Sequence, residues 1–167
     1  MQLVYFDTSV FIAIFKGDAS AAAIKELLLE LKRDKVRVCT SIITLQEASV
    51  EPFRKGTLVE DRSAKIDKIA RIEGVTKEIA LTAAKYEAHI KDQTRIADQQ
   101  DNKRRKWDCF HIATAVALGC STFYTADEKQ LKRKQQFNVT GMSFLKPEPS
   151  KPSLFSTAAG NSAAVPN

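Results

Sequence analysis

The chain has 167 residues, 44% of them hydrophobic, and a formal charge of +6 from 26 Lys and Arg against 20 Asp and Glu. That length and apolar fraction suit one globular domain and exclude a disordered polyelectrolyte. No apolar run is long enough to span a bilayer, and the short run Phe11 to Phe15 follows Asp7 rather than a basic flank, so neither a membrane segment nor a signal peptide is expected.

In chain order, Leu3 to Phe6 is a β-prone run ending on Asp7, after which Thr8 or Ser9 is placed to cap a helix. Ala21 to Leu31 carries Ile24, Leu27, Leu28 and Leu31 at the spacing of an amphipathic helix. Val36 to Thr40 reads as a second strand, Ser41 as the cap of a helix running through Glu47 towards Gly56, and Leu58 to Ile69 as a further helix. Ala70 to Val75 suggests a third strand, and Thr76 caps a long helix from Lys77 to about Ile96. Asp98 to Lys106 is polar throughout and reads as a loop or a frayed end. Trp107 to Leu118 is an apolar helix that Asp108 would open and Gly119 would close. Thr122 to Thr125 is a strand, followed by Asp127 and a basic helix, and Phe137-Asn138-Val139 is the last short strand.

Strands alternating with helices predict an α/β fold around a parallel sheet. From Lys146 the composition shifts: four of the five prolines (Pro147, Pro149, Pro152 and Pro166) fall there among Ser, Ala and Gly. The expected division is therefore one domain over 1–145 and a flexible tail over 146–167. The three cysteines, Cys39, Cys109 and Cys120, show no C-x-x-C spacing and read as buried thiols of a cytoplasmic protein, not as a disulfide or zinc framework.

Two basic clusters stand out. One is Lys103-Arg104-Arg105-Lys106, the other Lys129, Lys132, Arg133 and Lys134. They are suited to phosphates along a nucleic acid, and equally to a solvated surface. Asp7 ends one strand and Asp127 follows another, and in a parallel sheet both strand ends meet the same crevice. Asp108 at a helix start would face that edge, and Glu47 on the helix after strand two would lean over it. Singly, Asp108 and Asp127 are ordinary helix caps. Together, four carboxylates in one cleft repel one another unless a divalent cation is present, and their hard oxygens suit Mg²⁺ or Mn²⁺. Such a site can hydrolyse a phosphodiester.

The segments that carry these acids resemble the motifs of PIN domains. Val4-Tyr5-Phe6-Asp7-Thr8-Ser9 is similar to the opening motif, and Thr40 to Glu47 to the second. Trp107-Asp108-Cys109-Phe110-His111-Ile112-Ala113-Thr114-Ala115 resembles the third, and Thr125-Ala126-Asp127 the fourth, in the family's order. Asp127 departs from the pattern in being followed by Glu128 rather than an aromatic residue. The resemblance implies a three-layer α/β/α sandwich around a parallel sheet of about four to five short strands, with a Mg²⁺- or Mn²⁺-dependent ribonuclease site. Asp7, Glu47, Asp108 and Asp127 would be its acids and metal ligands, with Ser9 and Thr125 as accessory hydroxyls. The basic run Lys103 to Lys106 would bind RNA. Small members resembling VapC-type ribonucleases imply an antitoxin partner and a homodimer.

Other residues have plainer readings. His111 shares a helical face with Asp108 but has no second histidine near it, so it reads as a structural core residue. Trp107 is placed either to stack on a base or to pack beneath its helix. Two rival functions remain on the sequence alone: a phosphohydrolase with Asp7 as nucleophile, disfavoured by Ser9 where a second Asp would stand, and a non-catalytic RNA- or protein-binding module of the same fold.

Overall fold

A computed structural model describes residues 2–57, 59–93, 99–132, 134–137 and 139–150, with the side chains of 93 and 99–104 excepted. Five parallel strands form one sheet: β1 (Leu3–Phe6), β2 (Arg37–Ser41), β3 (Arg71–Glu73), β4 (Thr122–Tyr124) and β5 (Ser143–Leu145). Their order is β3-β2-β1-β4-β5. The chain builds outward from β1 to β3 on one side, then returns to lay β4 and β5 on the other. The reversal falls between β1 and β4, so a crevice opens where the carboxyl ends of these two strands diverge.

Alternate residues of each strand serve opposite faces, as a period of two requires. Val4, Phe6, Val38 and Tyr124 enter one core with residues of α1 (Thr8–Lys16), α2 (Ser20–Arg33), α3 (Ile42–Lys55) and α4 (Glu60–Ile69). Tyr5, Cys39, Phe123 and Phe144 enter a second core with α5 (Lys77–Gln93) and α6 (Gln99–Ala117). Both faces are thus covered, the usual condition of a parallel sheet and the reason its strands read as continuous apolar runs. The result is the expected three-layer α/β/α sandwich. Phe6, Phe11, Ile24, Ile112 and Phe123 are wholly buried, each contributing about 1.5–3 kcal/mol of apolar transfer. The three cysteines are free and buried, with Cys39 Sγ 3.4 Å from Cys120 Sγ. Among the described residues no helix is long and apolar enough to cross a membrane.

Several local expectations are corrected. The cap of α1 is Asp7, not Thr8 or Ser9; its side chain accepts the Ser9 backbone N–H. The described part of the stretch expected as a loop or a frayed helix end over Asp98 to Lys106 is the first half of α6, which begins at Gln99. Asp108 therefore lies mid-helix rather than at a helix start, and the helix dipole contributes nothing special to it. The expected last strand at Phe137 is instead a 3-10 turn, Lys134–Phe137, and the edge strand is Ser143–Leu145. Short α7 (Glu128–Lys132) follows β4. Beyond β5, Pro147 is buried and the Ser150 backbone N–H donates to Glu30 of α2 at 2.9 Å. Residues 151–167, the greater part of the expected tail, lie outside the described residues.

Candidate active site

The crevice between β1 and β4 holds a cavity of about 340 Å³ lined by Asp7, Glu47, Asp108 and Asp127 together with Trp107 and Gln130. All four acids singled out in the sequence therefore meet, although 120 residues separate the first from the last. Each arrives on a different element: the end of β1, the second turn of α3, the middle of α6, and the turn between β4 and α7.

Asp7 is nearly buried at 6% exposure. Its Oδ2 accepts the hydroxyls of Ser9 at 2.7 Å and Thr125 at 3.0 Å. Ser9 Oγ in turn accepts the Ala126 backbone N–H at 2.9 Å, and Thr125 Oγ1 accepts that of Asp127 at 3.1 Å. The Asp7 N–H donates to Tyr124 O at 3.0 Å. The two hydroxyls expected as accessories thus stitch the start of α1 to the end of β4 and fix the Asp7 carboxylate between them. With the Ser9 backbone N–H, Oδ2 accepts three hydrogen bonds; the other oxygen faces His111 Nε2 at 3.9 Å.

Glu47 is held differently. Its Oε2 accepts the Thr8 hydroxyl and lies 2.9 Å from His111 Nε2. His111 is 1% exposed, and its Nδ1 is 2.7 Å from the Tyr5 hydroxyl, which accepts the Ser41 backbone N–H at 2.9 Å. A continuous chain therefore runs from the cap of α3 through Tyr5 and His111 to Glu47. Burial lowers the His111 pKa, but the hydrogen bond to Glu47 and the charges of Asp7, Glu47 and Asp108 outweigh it and leave the pKa raised. Burial, the largest single influence on Glu47, raises its pKa, but the His111 hydrogen bond, the His111 charge and the Thr8 hydrogen bond together outweigh it and hold the carboxyl below its ordinary range.

Asp108 has no such support. Burial, followed by the charge of Asp7, pushes its carboxyl up to about 7. Asp127 is exposed and caps α7, accepting the Lys129 N–H at 2.8 Å. Cap and site are one position here, so the two readings of Asp127 were not alternatives. Among the described residues, no three Asp, Glu, His or Cys side chains stand together as a ready-made metal cage. The donor set still fits a hard cation. Mg²⁺ characteristically takes one or two carboxylates and keeps its waters rather than filling an all-protein cage, and the like-charge conflict that raises Asp108 is what a cation relieves.

Of the basic run expected to bind RNA, Lys106 is exposed, but Arg105 is 6% exposed and is not offered at the surface. The side chains of Lys103 and Arg104 lie outside the described residues, as does Arg133 of the second cluster. Lys129 of that cluster lines the pocket. Sequence reasoning placed His111 on the face of Asp108 as a buried structural residue, which it is, but missed its bond to Glu47, and it gave Gln130 no role. For His111 a signal existed, its one-turn spacing from Asp108; for Gln130, none did.

A family model described as the PIN domain matches residues 4–135. No curated protein matches the sequence. Among solved structures, a chain of VapBC-1 from nontypeable Haemophilus influenzae is similar, with a TM-score of 0.59 at 18% identity, covering 87% of this chain and 98% of that one. VapBC2 from Rickettsia felis, bound to a DNA fragment from the promoter, gives the same TM-score, identity and coverage. VapC20 of Mycobacterium tuberculosis, described as a sarcin-ricin loop cleaving toxin, gives a TM-score of 0.53 at 20% identity over 77% of this chain and 93% of that one.

Proposed function

The chain belongs to the PIN-domain family, and from that premise we propose that it is a metal-dependent endoribonuclease, the toxin of a toxin–antitoxin pair, acting on RNA phosphodiester bonds. One observation carries the reading: four carboxylates from four separate elements line a single crevice at the switch point of the sheet. No structural need brings Asp108 there, since its burial beside Asp7 is unfavourable.

In this reading Asp7 and Asp108 hold the main divalent cation, Mg²⁺ or Mn²⁺, and Glu47 and Asp127 complete the site directly or through water. An ion held there would supply Lewis acidity towards the phosphate and the attacking water. The chain's own residues do the rest. Ser9 and Thr125 keep Asp7 in one orientation by occupying Oδ2. His111 and Thr8 fix Glu47 Oε2, which leaves its other oxygen to orient an attacking water. Lys129 at the rim meets the phosphate backbone. The likeness in fold to VapBC chains supports an antitoxin partner; a homodimer enters the proposal from the family resemblance alone.

The test is cleavage of a panel of structured and single-stranded RNAs by the wild type and Asp7→Asn, with Mg²⁺, with Mn²⁺ and with EDTA. Metal-dependent cleavage lost by at least a hundredfold in a folded variant is the expected outcome. Full activity in Asp7→Asn would remove the mechanism, and RNA binding without cleavage under any metal would favour a binding module.

A further inference from the structure

Gln130 is 3% exposed, lines the crevice with Asp127, and among the described residues neither its amide oxygen nor its amide nitrogen has a hydrogen-bond partner. Buried polar side chains are nearly always paired, so an orphaned amide beside a crevice asks for an absent partner. The amide is set there by a fixed frame. Asp127 caps α7 through the Lys129 N–H, and the Leu131 N–H donates to Asp127 O at 3.1 Å. The same crevice is lined by Trp107, 38% exposed and tilted against Phe110 at a centroid separation of 6.0 Å.

We propose that Gln130 and Trp107 form a nucleobase-reading subsite next to the carboxylates, and that the base they select is adenine. The inference rests on the reading of this crevice as an RNA site. Trp107 offers a face on which an unstacked base lies, and such stacking is indifferent to base identity. Selection needs a directional group, and the Gln130 amide presents one donor beside one acceptor. Adenine answers with its N6 amino group and N7, the standard bidentate mate of a glutamine amide. The cavity of about 340 Å³ is large enough for one base with its phosphate placed towards Asp7 and Asp108.

The sequence contains one tryptophan, so tryptophan fluorescence, excited selectively over the three tyrosines, reports on this crevice alone. Wild type, Gln130→Leu and Gln130→Glu are titrated with AMP, GMP, CMP, UMP and ribose 5-phosphate, and folding is checked by circular dichroism. In the wild type, AMP should quench with an apparent Kd about tenfold below those of the other nucleotides, and ribose 5-phosphate should not quench. Gln130→Leu should bring AMP to within about twofold of the rest. Gln130→Glu, which can only accept, should lose the preference for AMP and gain CMP relative to it; it carries the test should the leucine variant fail to fold. Equal binding of all four nucleotides by the wild type, or a ranking unchanged in a folded variant, would overturn the subsite and leave Gln130 as a packing residue. RNA cleavage in Mn²⁺ is scored in parallel. Cleavage without base selectivity spares the nuclease and sinks the subsite; AMP-selective quenching without cleavage does the reverse.

Discussion

The two layers that flank the sheet are built on different terms. On the side of α1 to α4, Val4, Phe6, Val10, Phe11, Ile24 and Leu27 form a core in which the strand residues are apolar throughout, Tyr124 excepted. On the side of α5 and α6, the central strand contributes Tyr5, whose hydroxyl reaches His111 and through it Glu47. The strand side chains of the first layer, Val4 and Phe6, pack without touching the site, while its helices α1 and α3 bring Thr8, Ser9 and Glu47 to it. The second carries a buried polar chain that ends on a carboxylate of the crevice. A residue of β1 therefore belongs to the machinery or to the scaffold according to the face it takes, and neighbours in sequence differ in kind.

Three changes test that contrast. Phe6→Ala, on the scaffold side, removes a ring packed edge-on against Phe11 and Tyr124. It should lower stability by about 3–5 kcal/mol, measured by urea denaturation. A loss below about 1 kcal/mol would mean that this layer is not tightly packed. Tyr5→Phe, one residue away, keeps the ring but orphans the Ser41 N–H and His111 Nδ1. About 1–3 kcal/mol of destabilisation is expected, and with it a loss of RNA cleavage that Phe6→Ala, refolded at low temperature, does not share. Equal activity in the two variants would erase the distinction between the layers.

The smallest effect concerns pH. Asp108 is held at about 7 by burial and by Asp7, against about 3.9 in an unfolded chain. A group whose folded pKa is raised contributes its full stability below the unfolded value and loses it as pH climbs through the folded one. In EDTA, thermal stability should therefore fall between about pH 4 and pH 7. The raised His111 pKa acts in the same direction, losing its contribution above pH 6.5. Asp108→Asn should flatten the curve and gain about 1 kcal/mol at pH 8, with no gain at pH 4. A variant no more stable than wild type at pH 8 would show that the carboxyl is not under strain.

Much of this arrangement is legible in the sequence, and the exceptions have physical causes. β1, β2 and β4 announce themselves because a parallel strand buried on both faces is apolar throughout, as in Leu3 to Phe6. The acids are legible because they stand just past strand ends or on the helices that follow. The start of α6 is not, because residues 99–106 form a charged stretch with no apolar stripe, although Gln, Lys and Arg are good helix formers. The edge strand Ser143–Leu145 has a single buried side chain, Phe144, and three residues carry too little pattern to outrank Phe137-Asn138-Val139. His111 finds Glu47 across 64 positions of sequence, and a lone histidine carries no mark of such a partner. Gln130 looks like any residue of a basic surface helix until its burial is seen.

The bonds from Ser9 and Thr125 to Asp7 have a consequence for synthesis. Thr125 and Asp7 are 118 positions apart, so the carboxylate is clasped only after β4 has been made and has docked beside β1. A growing chain that holds Asp7, Glu47 and even Asp108 still lacks the clasp and the last acid. Contacts this distant form late and slowly. Under the proposed ribonuclease function, the protein would in this way remain harmless to the messenger and ribosome producing it until nearly all of its domain had emerged.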